Sequence, residues 1–185
     1  MTKQSELPWI SAARKYVGLR EDTSKTKHNP TILMMLKKMG SFNGEARAWW
    51  NNDDDAWCGT FVGYCLGISN RWVVREWYRA KSWNAPVELT KLDKPAYGAI
   101  VTFTRTGGGH VGFVVGKDKH GNIMVLGGNQ SNKVSIIPFA PSRVTGYYWA
   151  SKVADGLKPE LSTPLPDRYI LPLLDSDGKV STNEG

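Results

Sequence analysis

The chain has 185 residues, of which 41% are hydrophobic and 22% charged, as expected for one globular domain. No apolar run reaches the roughly 18 residues of a membrane span, and residues 1–6 lack the features of a secretory signal, so we predict neither a transmembrane segment nor a signal peptide. The net charge of +7 favours an anionic partner such as a cell envelope or an acidic wall polymer. Nucleic acid is not expected, because the basic residues are scattered and no nucleic-acid-binding motif occurs.

The first half of the chain shows the hydrophobic periodicity of helices. Apolar residues at helical spacing predict helices over residues 8–17, 30–39 and 55–67. Residues 71–83 are predicted to extend this helical half, and residues 42–54 are predicted to form a loop or short helix beside the site.

The second half changes to a strand-like period. Strands are predicted over residues 99–103, 111–115, 123–126, 134–137 and 144–149, separated by turn residues. Helices followed by an antiparallel sheet indicate an α+β domain. We predict one catalytic domain over residues 1–154 and a Pro-rich tail over residues 155–185, which either drapes over the domain or stays mobile.

Two cysteines, Cys58 and Cys65, fall on one face of the predicted central helix, about 10 Å apart and too far for a disulfide. Asp55 is predicted to cap this helix and to place Cys58 at its third position, where free amides and the helix dipole stabilise a thiolate. Asp53 and Asp54 would oppose that effect if they lie close. Cys58 is therefore the candidate nucleophile, with core packing as the alternative, whereas Cys65 fits core packing better.

A cysteine nucleophile needs a base, and the chain contains three histidines: His28, His110 and His120. His28 and His120 fall in polar turns and are predicted to be solvated. His110 follows three glycines and begins an apolar strand, so we predict it to be the base. A strand-end histidine bonded to a backbone carbonyl is the alternative.

The segment Leu126-Gly127-Gly128-Asn129-Gln130 ends the next predicted strand. An amide here can accept a hydrogen bond from the imidazole and orient it, as in Cys-His-Asn arrangements. Asn129 is the first choice for this role, and Gln130 takes it if the register differs by one residue.

Substrate contacts are expected from residues next to these three. Trp57 and Trp50 offer aromatic faces for sugar rings or peptide stems, and Gly109 and Gln130 adjoin the candidate base and orienting amide. Trp49 is a further aromatic near the site. The chain lacks an HExxH motif and has few histidines, so we predict no metal ligand and no cofactor.

Four ordered motifs resemble those of CHAP/NlpC-type cysteine hydrolases. They are Trp57-Cys58 with Phe61-Val62, Tyr97-Gly98-Ala99-Ile100-Val101, Gly109-His110-Val111-Gly112, and Leu126-Gly127-Gly128-Asn129-Gln130. Segments 19–21 and 29–32 are similar to the N-terminal region of a phage-associated branch of that superfamily.

The resemblance implies a papain-like fold in which Cys58 attacks a peptidoglycan amide bond, His110 serves as base and then acid, and Asn129 orients His110. Many members have a glutamate where this chain has Gly127, so the third member of the triad is left open.

The simplest expectation is a phage endolysin, a monomer made in the host cytoplasm, that cleaves a stem peptide or cross-bridge. An N-acetylmuramoyl-L-alanine amidase, a type VI-like antibacterial effector, and a non-catalytic virion or wall-binding module are the alternatives.

Overall fold

A computed structural model of the protein describes residues 5–24, 26–47, 50–105, 107–155 and 158–182. Three α-helices come first: α1 (Pro8–Arg14), α2 (Pro30–Asn43) and α3 (Cys58–Gly67). Single-turn 3₁₀ helices lie at Ala80–Trp83, Pro141–Arg143 and Pro166–Tyr169. The strands are β1 (Thr90–Leu92), β2 (Ile100–Arg105), β3 (Gly108–Lys117), β4 (Ile123–Gly127), β5 (Ser135–Phe139), β6 (Val144–Trp149), β7 (Lys152–Ala154) and β8 (Lys158–Glu160).

Six of the strands form one antiparallel sheet in the order β1-β6-β2-β3-β4-β5. The remaining two, β7 and β8, pair with each other. The predicted α+β architecture is therefore confirmed. Strand β3 is longer than predicted because Gly108 and Gly109 also pair with β2, opposite Arg105 and Thr104.

The helices differ from the prediction at their ends. The first helix ends at Arg14 rather than at residue 17. The second continues through Gly40, which packs so closely on Ala46 that an added Cβ would lie 2.8 Å from the Ala46 Cβ. It ends before Gly44, whose positive φ of 77° terminates the helix.

The prediction of a helix over residues 71–83 is wrong. The backbone amide of Trp72 donates to the Ser151 carbonyl, and Arg71 forms an isolated bridge with Lys152, so this segment pairs with the chain near β7. Turns follow, and only the last four residues form a 3₁₀ helix.

Helix α3 lies at the centre of the molecule. Its residues from Cys58 to Leu66 are all buried, and it contacts α1 and α2 on one side and β3 and β4 on the other. A helix that is apolar around most of its circumference is stable in such an enclosed position. No helix in the described ranges combines the length and apolarity needed to cross a bilayer.

The described part of the C-terminal segment contacts the sheet. Leu174 donates its amide to the Lys117 carbonyl at 2.8 Å, and Lys117 donates to Pro172 at 2.9 Å. Arg168 is buried and donates to the Ser5 carbonyl at 2.8 Å. The division into a domain over residues 1–154 and a tail over residues 155–185 stays a prediction.

Candidate active site

Cys58 is the first residue of α3. The cap residue is Trp57, and no side chain caps the helix, so the prediction that Asp55 caps it with Cys58 in third place is wrong. The reason is a local turn in which the amide of Asp55 donates to Asn52 Oδ1 and its carboxylate accepts from Asn52 Nδ2. Cys58 thus lies within the first turn, whose amides have no acceptor inside the helix.

The environment of Cys58 acts on its thiol in two opposing ways. The residue is 3% exposed, and this burial raises the pKa of the Cys58 thiol. Hydrogen bonds from the amides of Val111 and Gly59, and the positive charge of Arg105, act in the opposite direction but do not cancel the rise in pKa. The resting group is therefore a thiol close to donors that stabilise a thiolate.

His110 lies in β3 and is fully buried. Its ring stacks on Phe139, with centroids 5.4 Å apart and planes 1° apart, and also on Phe103. Val111, whose amide contacts the Cys58 thiol, is the next residue along the strand. Strand β3 thus carries the predicted base directly before the residue whose amide contacts the predicted nucleophile.

Gln130, rather than Asn129, is the amide that contacts the imidazole. Gln130 Oε1 lies 3.1 Å from His110 Nε2, and its Nε2 donates to the carbonyl of Ser135 at 2.7 Å and to the Ser135 hydroxyl at 3.0 Å. With its NH₂ group used in this way, the oxygen must face the ring and accept, so Nε2 of His110 carries the proton. In the neutral imidazole, Nδ1 is then the basic nitrogen.

The sequence predicts that Asn129 contacts the imidazole of His110. The backbone of the turn explains why its side chain does not. Asn129 adopts a positive φ of 55°, which directs its side chain away from the course of the strand. Its Oδ1 has no hydrogen-bond partner within the described ranges, although the residue is only 4% exposed.

Two glycines make the contact between Gln130 and His110 possible. A Cβ on Gly127 would lie 2.7 Å from Gln130 Oε1 and 3.1 Å from His110 Nε2. A Cβ on Gly128 would lie 2.6 Å from the Trp57 ring. The separations of 2.7 Å and 2.6 Å are shorter than real Cβ contacts, so the absence of side chains allows Gln130 to reach the imidazole and β4 to pack against the start of α3.

An open cleft of about 530 Å³ gives access to Cys58. Gly109 borders it, and its contact with substrate stays a prediction. The remaining lining residues are Ala56, Glu76, Tyr78, Arg79, Ala80, Lys81, Ser82, Arg105, Gly107 and Gly108. Three cations and one carboxylate make this cleft net positive.

Three other residues predicted to bind substrate are placed differently. Trp57 is fully buried and donates from Nε1 to Glu21 Oε1 at 2.6 Å. Trp50 is 8% exposed, stacks on Trp77, and borders a separate cavity. Gln130 is fully buried against His110. These three side chains pack in the core or against the base, and their contact with substrate stays a prediction. Trp49 lies outside the described residues.

His28 was predicted to be solvated, but it is only partly exposed and its Nδ1 lies 2.8 Å from Asp53 Oδ1. The other carboxylate oxygen of Asp53 accepts from the amides of Asp22 and Asn29. Burial raises the pKa of Asp53, but these donors outweigh it and the pKa is lowered. Asp54 also approaches His28 and Asp53, with possible ligand atoms within 4.8 Å of one another.

This network ties the start of α2 to the loop that leads into α3. Hydrogen bonds within the protein account for the contacts of both oxygens of Asp53. His120, the third histidine, lies in the exposed turn between β3 and β4.

Fold and site together define a papain-like α+β protein with a cysteine at the start of its central helix. The family model of the CHAP domain matches residues 49–129, a range that includes Cys58, His110 and Asn129, so this part of the chain is similar to CHAP domains. CHAP domains are typically hydrolases of the cysteine peptidase or amidase type that act on peptidoglycan. Searches of curated proteins and of solved structures found no match.

Proposed function

We propose that this protein hydrolyses an amide bond of bacterial peptidoglycan with Cys58 as nucleophile, His110 as base and Gln130 as the residue that positions His110. The observation that carries the proposal is the arrangement around β3. Cys58 contacts the Val111 amide at the edge of an open cleft, and the neighbouring His110 is held by a buried amide. The match of residues 49–129 to the CHAP family model supports peptidoglycan as the substrate class.

The reaction begins with a proton transfer. Burial raises the pKa of Cys58, so the thiol needs a base to form the attacking thiolate. His110 Nδ1 takes this proton, because Nε2 already carries the proton that faces Gln130 Oε1. The Cys58 sulfur then attacks the amide carbonyl and forms the carbon–sulfur bond of a tetrahedral oxyanion.

Backbone amides at the start of α3 are suited to stabilise that oxyanion, since they have no acceptor within the helix. The imidazolium of His110 returns its proton to the leaving nitrogen as the carbon–nitrogen bond breaks, which leaves a thioester on Cys58. His110 next removes a proton from water, the hydroxide attacks the thioester, and the proton returns to sulfur as the carboxylic acid departs. Each step uses only groups of this chain, the substrate and water.

The biological role we favour is that of a phage endolysin that cleaves a stem peptide or cross-bridge. The net charge of +7 supports it, because a cationic protein is drawn to an anionic envelope. In this role the protein would be made in the host cytoplasm and reach the wall after the inner membrane is opened. An N-acetylmuramoyl-L-alanine amidase or an antibacterial effector would use the same catalytic groups.

The test is digestion of purified peptidoglycan by wild type, Cys58→Ala and Cys65→Ala, with the products identified by mass spectrometry. We expect fragments from wild type and from Cys65→Ala, which has the same substitution on the same helix, and none from Cys58→Ala. The fragment masses distinguish an amidase from an endopeptidase. If no wall type is cleaved while the folded protein still binds peptidoglycan, the hydrolase proposal fails and the binding-module alternative gains support.

A further inference from the structure

A second cavity adjoins the catalytic cleft. It has a volume of about 390 Å³ and shares Ala56 and Arg105 with the cleft. Its other lining residues are Glu21, Asp54, Asp55, Asn129 and Asn132. Three carboxylates face one guanidinium here, whereas the cleft is net positive, so the sign of charge reverses where the two cavities meet.

The carboxylates of the second cavity repel one another. Burial raises the pKa of Glu21, and the nearby negative charges of Asp53 and Asp54 raise it further, against the opposing effect of the hydrogen bond from Trp57. Asp54 and Asp55 are exposed at the mouth of the cavity. A positively charged ligand would relieve this repulsion.

Asn129 supplies a second, independent observation. Its side chain borders the cavity and is 4% exposed, yet its Oδ1 has no hydrogen-bond partner in the described part of the chain. Buried amide oxygens are nearly always paired. Because the terminal torsion of asparagine is broad and roughly two-fold, the carboxamide can turn its oxygen toward a donor in the cavity.

We propose that this acidic cavity is a subsite for an ammonium group of the peptide substrate, held by the carboxylates of Glu21, Asp54 and Asp55 and by the carboxamide of Asn129. The inference rests on the proposed function and narrows it to peptides with a free amine near the scissile bond. Such an amine is present on a diamino residue of a stem peptide and at the end of an uncoupled cross-bridge.

Arg105 determines the orientation in which the peptide would bind. It borders both cavities, and with Arg79 and Lys81 it makes the cleft a poor place for an ammonium group. The peptide is therefore bound with its amine in the acidic cavity, and a carboxylate of the peptide is the group that suits the basic cleft.

The experiment uses two pairs of synthetic peptides. In one pair the stem diamino residue has a free or an acetylated side-chain amine, and in the other the cross-bridge has a free or an acetylated terminal amine. Binding to Cys58→Ala is measured by calorimetry and kcat/KM is measured with wild type. We expect acetylation to lower affinity and kcat/KM at least tenfold in one pair, which identifies the source of the amine.

Charge-neutral variants provide the control. Asp54→Asn combined with Asp55→Asn should reduce the preference for the free amine to about threefold or less. Asp93→Asn combined with Asp175→Asn removes two exposed carboxylates that border neither cavity and should leave the preference intact. Glu21→Gln keeps an acceptor for Trp57 Nε1 and tests the third carboxylate.

The outcomes separate the two proposals. Equal binding and equal cleavage of the free and acetylated peptides would overturn the ammonium subsite and leave the hydrolase standing. Binding that prefers the free amine, without cleavage of any peptide or wall, would retain the subsite and overturn the hydrolase. Loss of the preference on chelation and its return with Ca²⁺ would show that the carboxylates hold a metal, which also contradicts the proposal.

Discussion

The first and the last turn of α3 each carry a buried cysteine, and the surroundings of the two thiols differ. Burial raises the pKa of both Cys58 and Cys65. At Cys58 the amides of Val111 and Gly59 and the charge of Arg105 partly offset that rise, whereas burial acts alone at Cys65. Two thiols on one helix thus acquire different chemistry because only one adjoins free amides, a cation and a cleft.

Alkylation should show the largest contrast between the two cysteines. We expect iodoacetamide to modify Cys58 at least about 10³-fold faster than Cys65, because Cys58 borders the cleft and Cys65 is reached only when the protein opens. Peptide mapping of time points measures both rates in one sample. Comparable rates in folded protein would contradict the difference between the two ends of α3.

Variants of Gln130 test whether the reactivity of Cys58, compared with that of Cys65, depends on His110. Gln130→Ala removes the acceptor of a buried imidazole N–H, and we expect kcat to fall about 10²-fold and stability to fall by about 1–3 kcal/mol. Gln130→Glu keeps the shape and places a carboxylate at His110 Nε2, which stabilises the imidazolium. Its pH–rate profile should therefore have an acid limb displaced to higher pH.

Alkylation of Cys58 is measured alongside activity in Gln130→Ala and Gln130→Glu. If Gln130→Ala loses activity only in proportion to unfolded protein, and Gln130→Glu has the wild-type pH profile, then Gln130 has a structural role and does not position the base.

Parts of the fold that depend on hydrophobic periodicity could be predicted from the sequence. The five longer strands of the sheet follow from short apolar runs separated by turn residues, and α3 follows from its apolar face. The sequence does not predict strands β1, β7 and β8, because three residues that include a lysine carry too little periodicity. The choice between Asn129 and Gln130 depends on the left-handed backbone of Asn129, and periodicity carries no information about that angle.

The sequence also could not predict whether a side chain beside the site faces the cleft or the core. Cys58, His110 and Gly109 follow from residue type and position, but Trp57 and Trp50 turn inward against Glu21 and Trp77. An aromatic beside a candidate nucleophile is equally compatible with a groove and with a core. The hydrogen bond from Trp57 to the partly buried acid Glu21 was the missing information, and a sequence pattern does not contain it.

The charge of Arg105 should account for a smaller part of the difference in reactivity between Cys58 and Cys65. Its positive charge lowers the pKa of Cys58 without cancelling the effect of burial, so Arg105→Gln should raise that pKa further. The pH dependence of Cys58 alkylation should move upward by the same amount. Arg105→Lys keeps the charge and serves as the control. An unchanged profile in Arg105→Gln would leave the backbone amides as the source of the difference from Cys65.

The smallest effect is a loss of stability at alkaline pH. Cys65 is the better probe of this loss, because burial alone changes its pKa, whereas several opposing contacts act on Cys58. The unfolded thiol ionises near pH ~8.5, whereas burial raises the pKa of the folded Cys65 thiol well above that. Above pH ~8.5 the unfolded chain therefore binds fewer protons than the folded protein, and stability falls as the pH rises toward the folded pKa.

Each buried thiol adds up to about 1.4 kcal/mol per pH unit to this decline. Urea unfolding of wild type and Cys65→Ala between pH 7 and 10 measures it. The variant is less stable at pH 7 because it leaves a small cavity, but its stability should decline less steeply with pH. Parallel declines would show that Cys65 ionises equally in both states, and the contrast with Cys58 would then rest on access to the cleft alone.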